Sequence, residues 1–126
     1  MTKKFATAIN CIDGRVQSPV IKFIRSSYHI DYVDMITTPG ADKLLSKGKD
    51  AREIKSVRKK VRMSCKKHDS RLIFLTGHYD CAGNPCSKNY HLRQIKKAVQ
   101  NIKEWKTDSE VYGLWVDKKW KVSLIR

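Results

Sequence analysis

Cys11 opens the run Cys-Ile-Asp-Gly-Arg at positions 11–15, and His78 and Cys81 lie in Thr-Gly-His-Tyr-Asp-Cys-Ala-Gly at 76–83. Each run follows a short apolar stretch that reads as a buried strand. Parallel strands of one sheet end at a common edge, so the three side chains can converge there. Two thiolates and one imidazole make a Cys2His donor set. Such a set suits a tetrahedral zinc whose fourth position is left for water, substrate or a carboxylate. Asp13 and Arg15, two and four residues past Cys11, are placed to control that position.

The elements that must position these groups follow from the apolar pattern. Phe5–Asn10 reads as a first strand. Ser18-Pro19 resembles an N-cap with proline at the first helical position, opening a helix that turns Val20, Ile21, Phe23 and Ile24 inward and ends near Ser27. Tyr32–Thr37 is a second β-rich run, stopped by Thr-Pro-Gly at 38–40. Ile54, Val57, Val61 and Cys65 recur at helical spacing and predict a helix from about Asp50 to Lys67. Arg71–Thr76 is a continuous apolar run, as expected of a central parallel strand buried on both faces. A last helix is predicted from about Ser87 to Lys106, with Leu92, Ile95, Val99, Ile102 and Trp105 inward. Val111–Val116 and Trp120–Ile125 then form two strands joined at Asp117-Lys-Lys. Alternation of this kind predicts a single α/β domain over 1–126: a central, mostly parallel sheet of four to five strands flanked by helices.

Composition narrows the function classes. The 126 residues are 40% hydrophobic and 31% charged, which fits a globular protein with a core that needs no disulfides. No apolar run approaches a membrane span. The N-terminus reads as strand rather than signal peptide, so the expectation is a cytoplasmic protein with reduced thiols. Cys65 falls on the apolar side of a helix and reads as core, and Cys86 as a packed residue. The 27 basic and 12 acidic residues give a net charge of +15. These cations spread over both long helices and both termini without an RNA-binding motif or a Cys/His finger. They predict a solvated surface with at most non-specific, salt-sensitive nucleic-acid binding. His29, His68 and His91 have no partner motif and read as surface or helix-end residues. The three tryptophans read as core or interface.

Cys11-x-Asp13-x-Arg15, followed far downstream by Gly77-His78-x-x-Cys81, resembles the zinc-site signature of the β-class carbonic anhydrases. The resemblance extends to Thr38-Pro-Gly-Ala41, to the strand Leu-Ile-Phe-Leu-Thr-Gly-His and to Val111–Asp117, covering roughly residues 5 to 125. It implies Zn2+ held by Cys11, His78 and Cys81, with Asp13 and Arg15 as the family's aspartate–arginine pair. In that family the aspartate either occupies the fourth zinc position or pairs with the arginine and leaves room for water. The activity implied is reversible hydration of CO2 to bicarbonate by zinc-bound hydroxide, in a homodimer or higher homo-oligomer. The chain departs from the pattern in three ways. The expectation is a chain that enters its first strand directly, without the family's N-terminal helical arm; Ala82 stands where a second glycine is usual, and the loop lacks the arginine and asparagines common there. Two alternatives stay open: a related zinc hydrolase of carbonyl sulfide or carbon disulfide, and a non-catalytic zinc protein with a basic partner-binding surface. A less favoured fourth is a redox protein using Cys81 and Cys86.

Overall fold

The computed structural model describes residues 2–126. Its elements run β1 (Phe5–Asn10), α1 (Gly14–Tyr28), β2 (Tyr32–Thr37), α2 (Ala41–Lys47), α3 (Ala51–Lys67), β3 (Leu72–His78), α4 (Lys88–Lys103), β4 (Glu110–Val116) and β5 (Val122–Ile125). The five strands form one sheet in the order β2-β1-β3-β4-β5. Pairing is parallel except for the terminal β4–β5 hairpin. The α/β architecture and the mostly parallel sheet are those expected from the alternating pattern.

The chain leaves β1 toward β2 on one side and later returns as β3 on the other. The crevice between the carboxyl ends of β1 and β3 is therefore the topological switch point, where open α/β sheets place their ligands. Cys11 directly follows β1, and His78 is the last residue of β3.

Each face of the sheet has its own core. On one, Ile9, Ile73 and Leu75 pack against Leu45 of α2, Val57 and Val61 of α3, and Ile95 and Ile102 of α4. On the other, Ala6, Ala8, Phe74 and Leu114 pack against Val16, Val20 and Ile24 of α1. Full burial of such a side chain stabilises the fold by about 1.5–3 kcal/mol. Alanine at positions 6 and 8 leaves the room that lets the single helix α1 lie close to the sheet.

Three local expectations are corrected. First, α1 begins at Gly14, capped by the Asp13 carboxylate on the Arg15 amide (2.9 Å), and Pro19 lies inside it. The Asp13 cap and the buried Val16–Val20–Ile24 row hold the helix through the one backbone hydrogen bond that proline forfeits. Second, Thr-Pro-Gly stops β2 as expected, but a helix that the pattern did not predict, α2, starts straight after it. Gly40 in the left-handed region opens α2, and Gly48, also left-handed, closes it. Third, β3 runs on through Gly77 to His78, so the histidine is presented by a strand and not by a flexible loop.

Candidate metal centre

β1 ends by turning Cys11 into the switch-point crevice, and the loop after β3 brings Cys81 to meet it. The two Sγ atoms lie 3.8 Å apart. Together with His78, the donor atoms all lie within 4.8 Å of one another, and all three residues are buried. Two sulfurs held about 2.3 Å from a tetrahedral zinc are separated by about 3.8 Å, so the observed spacing fits that ion.

The imidazole is oriented by its own neighbour. His78 Nδ1–H donates to the Tyr79 carbonyl at 2.7 Å. This fixes the tautomer and leaves Nε2, which is buried and has no hydrogen-bond partner among the described residues. An unpartnered imidazole nitrogen facing two sulfurs is the arrangement expected of a metal-ligating histidine steadied through its other nitrogen.

The protonation pattern agrees with a cation-seeking site. The Cys81 thiol beside it pulls Cys11 down to about 3 against the cost of burial, helped by His78 and by the backbone amides of Gly40 and Asp13. Cys81 is pushed above the ordinary thiol range, chiefly by Cys11 and then by burial. Burial works against charge on His78, but Cys11, the Tyr79 carbonyl and Asp13 outweigh it and raise its pKa. The cluster thus holds its protons in competition with one another, and a metal ion would displace them.

The geometry of Asp13 is specific. Its Oδ2 accepts from Arg15 Nη2 at 2.7 Å and its Oδ1 from Arg15 Nε at 3.1 Å. The carboxylate is not part of the three-residue cluster. Arg15 in turn reaches Asp80, through the carbonyl at 3.2 Å and the carboxylate at 3.3 Å, and lies 4.6 Å from the ring centre of Trp120. The Arg15 guanidinium draws the Asp13 carboxyl down to about 2. Gln17 ties the turn together by donating to the carbonyls of Cys11 and Asp13, both at 2.8 Å.

Behind the cluster lies a polar group that sequence reasoning missed. His91 Nδ1–H donates to Asp42 Oδ2 at 2.6 Å, with both side chains only 2% exposed. Asn84 donates to Asp42 Oδ1 (3.0 Å) and to Gln94 Oε1 (2.6 Å), while its own amide donates to the Cys81 carbonyl (3.2 Å). The network thereby fastens the loop that carries Cys81 to α2 and α4. Two glycines make room for it. A Cβ on Gly77 would lie 2.6 Å from Asp42 Oδ2, and one on Gly83 would lie 2.7 Å from the Gly40 nitrogen. His91 is therefore a core residue, not a surface one. His29 and His68 do sit at helix ends, closing α1 and α3. Cys86 is half-buried, its thiol 3.6 Å from Asn84 Oδ1, and burial pushes its pKa up.

Comparison with known proteins places this arrangement. The structure resembles a β-carbonic anhydrase isoform from Trichomonas vaginalis, with a TM-score of 0.65 and 15% identity over 98% of this chain and 84% of that one. It also resembles a carbonic anhydrase from Glaciozyma antarctica, with a TM-score of 0.62 and 13% identity over 100% and 85% of the two chains. An apo carbon disulfide hydrolase shares the fold at a TM-score of 0.55 and 10% identity, over 100% and 81%. No curated protein matches the sequence. A family model described as "Putative carbonic anhydrase" matches residues 1–126. The chain belongs to this carbonic anhydrase family, and its fold is that of the β-carbonic anhydrases.

Proposed function

We propose that the chain is a zinc lyase, one domain over 1–126, that reversibly hydrates CO2 to bicarbonate. The observation that carries this reading is the buried convergence of Cys11, Cys81 and the unpartnered His78 Nε2 within 4.8 Å. These three would hold the zinc. A zinc ion held there would act as a Lewis acid and lower the pKa of water to about 7.

The chain's own residues supply the rest. Asp13, kept ionised by Arg15, offers its remaining lone pairs to the hydrogen of the attacking water and so aims the oxygen at the substrate carbon. Arg15 is itself fixed by Asp80 and Trp120, so the carboxylate is held in its arginine-paired arrangement and away from the metal position. Ile12 and Tyr79 flank the site and are exposed at 59% and 49%. The homodimer of this proposal would bury them. Among the described residues no helix is long and apolar enough to cross a membrane. A cytoplasmic location is the matching proposal, since a buried cluster of free thiols suits a reducing compartment.

The test is metal analysis joined to stopped-flow CO2 hydration. About one zinc per chain with turnover, both lost in Cys11→Ser and in His78→Ala, is the expected result. Zinc-loaded protein without turnover from neutral to alkaline pH would overturn it. A second reading is favoured by the carbon disulfide hydrolase likeness: the same donor set acting on carbon disulfide or carbonyl sulfide. A substrate panel on the zinc-loaded protein separates the two.

A further inference from the structure

The opposite end of the sheet carries two adjoining pockets. The larger, about 420 Å3, has Phe5, Tyr28, Ile30 and Leu72 on its walls and Lys3, Lys4 and His68 among its polar groups. The smaller, about 230 Å3, is bordered by Arg62, Lys66, Lys106 and Thr107. Arg71 and Asp69 line both. Six cations therefore face the two pockets against two carboxylates, Asp69 and Asp108, and Asp69 is already paired with Arg71 at 3.0 Å. Arg62, Lys66 and Lys106 make no ion pair among the described residues.

The pocket's histidine is built in. His68 Nδ1–H donates to Asp34 Oδ2 at 2.7 Å, and Ser64 donates to the same oxygen at 2.6 Å. Thr7 and Ser70 continue the hydroxyl chain beneath at 2.6 and 2.7 Å. The imidazole ring stacks on Phe5 with centroids 4.2 Å apart. Its Nδ1 is committed, so Nε2 is the nitrogen left for a ligand. The backbone around the smaller pocket is also unusual. Asp69, Lys106 and Asp108 adopt left-handed conformations, as do Asp80 and Trp120 around Arg15 at the proposed metal centre. Asp69 follows α3, and Lys106 and Asp108 follow α4, where chains leave a helix.

We propose that this amino-end face is a second ligand site, which takes a phosphate-type anion carrying an aromatic group. The anion lies on Arg71 and the cations of the smaller pocket, where planar guanidinium groups match phosphate oxygens. The aromatic group lies in the larger pocket against Phe5 and Tyr28. The proposal stands apart from the zinc reading, because it shares no residue with the cysteine–histidine cluster.

The test is titration calorimetry of the full chain at low, fixed ionic strength with phenyl phosphate, inorganic phosphate and phenol. Phenyl phosphate binds once per chain, about tenfold or more tighter than phosphate because its ring is buried, and phenol shows no saturable binding. Arg71→Gln weakens phenyl phosphate about tenfold through loss of a charge-assisted contact. Lys106→Gln, an exposed change that leaves folding intact, weakens it by a smaller factor. Cys11→Ser leaves it unchanged. Absence of binding, equal affinity in both cation variants and the parent, or loss of binding in Cys11→Ser would each overturn the proposal.

Discussion

Two carboxylate pairs flank the cysteine–histidine cluster in opposite media. Asp13 and Arg15 sit at the rim, with the arginine side chain 47% exposed. Asp42 and His91 sit behind it, each 2% exposed. The rim pair spans two residues of one turn and holds its geometry through four short contacts within that turn. The inner pair joins α2 to α4 and is tied to the Cys81 loop through Asn84. The rim pair can change partners at little cost, because water solvates whatever it releases. The inner pair cannot, because anything it releases is stranded in the core. The rim pair thus keeps its arrangement by contacts within one turn, and the inner pair serves as scaffold for the loop that carries Cys81.

The largest effect that would break this comparison comes from removing one partner of the inner pair. Asp42→Ala leaves His91 without its acceptor and Asn84 with Gln94 alone, and should cost about 3–5 kcal/mol in chemical denaturation. A double-mutant cycle with His91→Ala should return a large coupling energy for the inner pair, and one below about 1 kcal/mol for Asp13 with Arg15. Equal couplings would mean that burial does not separate the two pairs. A smaller effect is expected from Gly83→Ala. Its new methyl meets backbone at Gly40, which cannot swing aside as a side chain would. The expected cost is about 1–3 kcal/mol and, on the proposed function, zinc is lost more readily under chelator challenge as Cys81 is displaced.

The rim was legible in the sequence, and the scaffold was not. Cys11, Asp13 and Arg15 lie within five residues after one apolar run, and His78 and Cys81 within four after another, so local spacing reveals them. Asp42 and His91 are 49 residues apart in sequence, and neither sits in a pattern that marks it. Only the packing of α2 against α4 brings them together. The same limit explains α2 itself. Thr-Pro-Gly reads as a stop, and nothing local shows that Gly40 will lie against Gly83 and start a helix there. The succession of strands and helices along the chain, by contrast, follows from alternation and buried runs, which need no long-range pairing to be read. The start of α1 was misplaced because Ser18-Pro19 carries a strong local helix-start signal. The Asp13 cap lies five residues earlier, inside the motif.

Arg15→Gln sharpens the comparison from the other side. The pair is exposed, so stability should change by less than about 1 kcal/mol. On the proposed function, hydration should nonetheless fall about tenfold or more, because Asp13 loses the group that holds it in place. A stopped-flow measurement beside a melting curve separates the two effects. Loss of fold in parallel with loss of activity would show the rim pair to be structural after all.

The smallest effect concerns Asp117, in the turn between β4 and β5. Its Oδ1 accepts from the amides of Lys119 (2.9 Å) and Lys121 (3.0 Å). The Lys121 and Lys119 amides lower its pKa, and the two lysine charges add to this. A carboxylate with a depressed folded-state pKa contributes stability above its unfolded value of about 3.8 and loses it as pH falls through the lower folded value. Between neutral pH and mild acid the contribution is constant, so any dependence appears only in acid. Asp117→Asn keeps an oxygen acceptor for both amides but removes the titrating charge. The variant should therefore be slightly less stable than the parent near neutrality, and the difference should vanish in strong acid, where the parent carboxyl is protonated too. Denaturation midpoints measured at pH 7 and below pH 3 decide it, because a gap that persists unchanged into acid would assign the turn's stability to its hydrogen bonds alone.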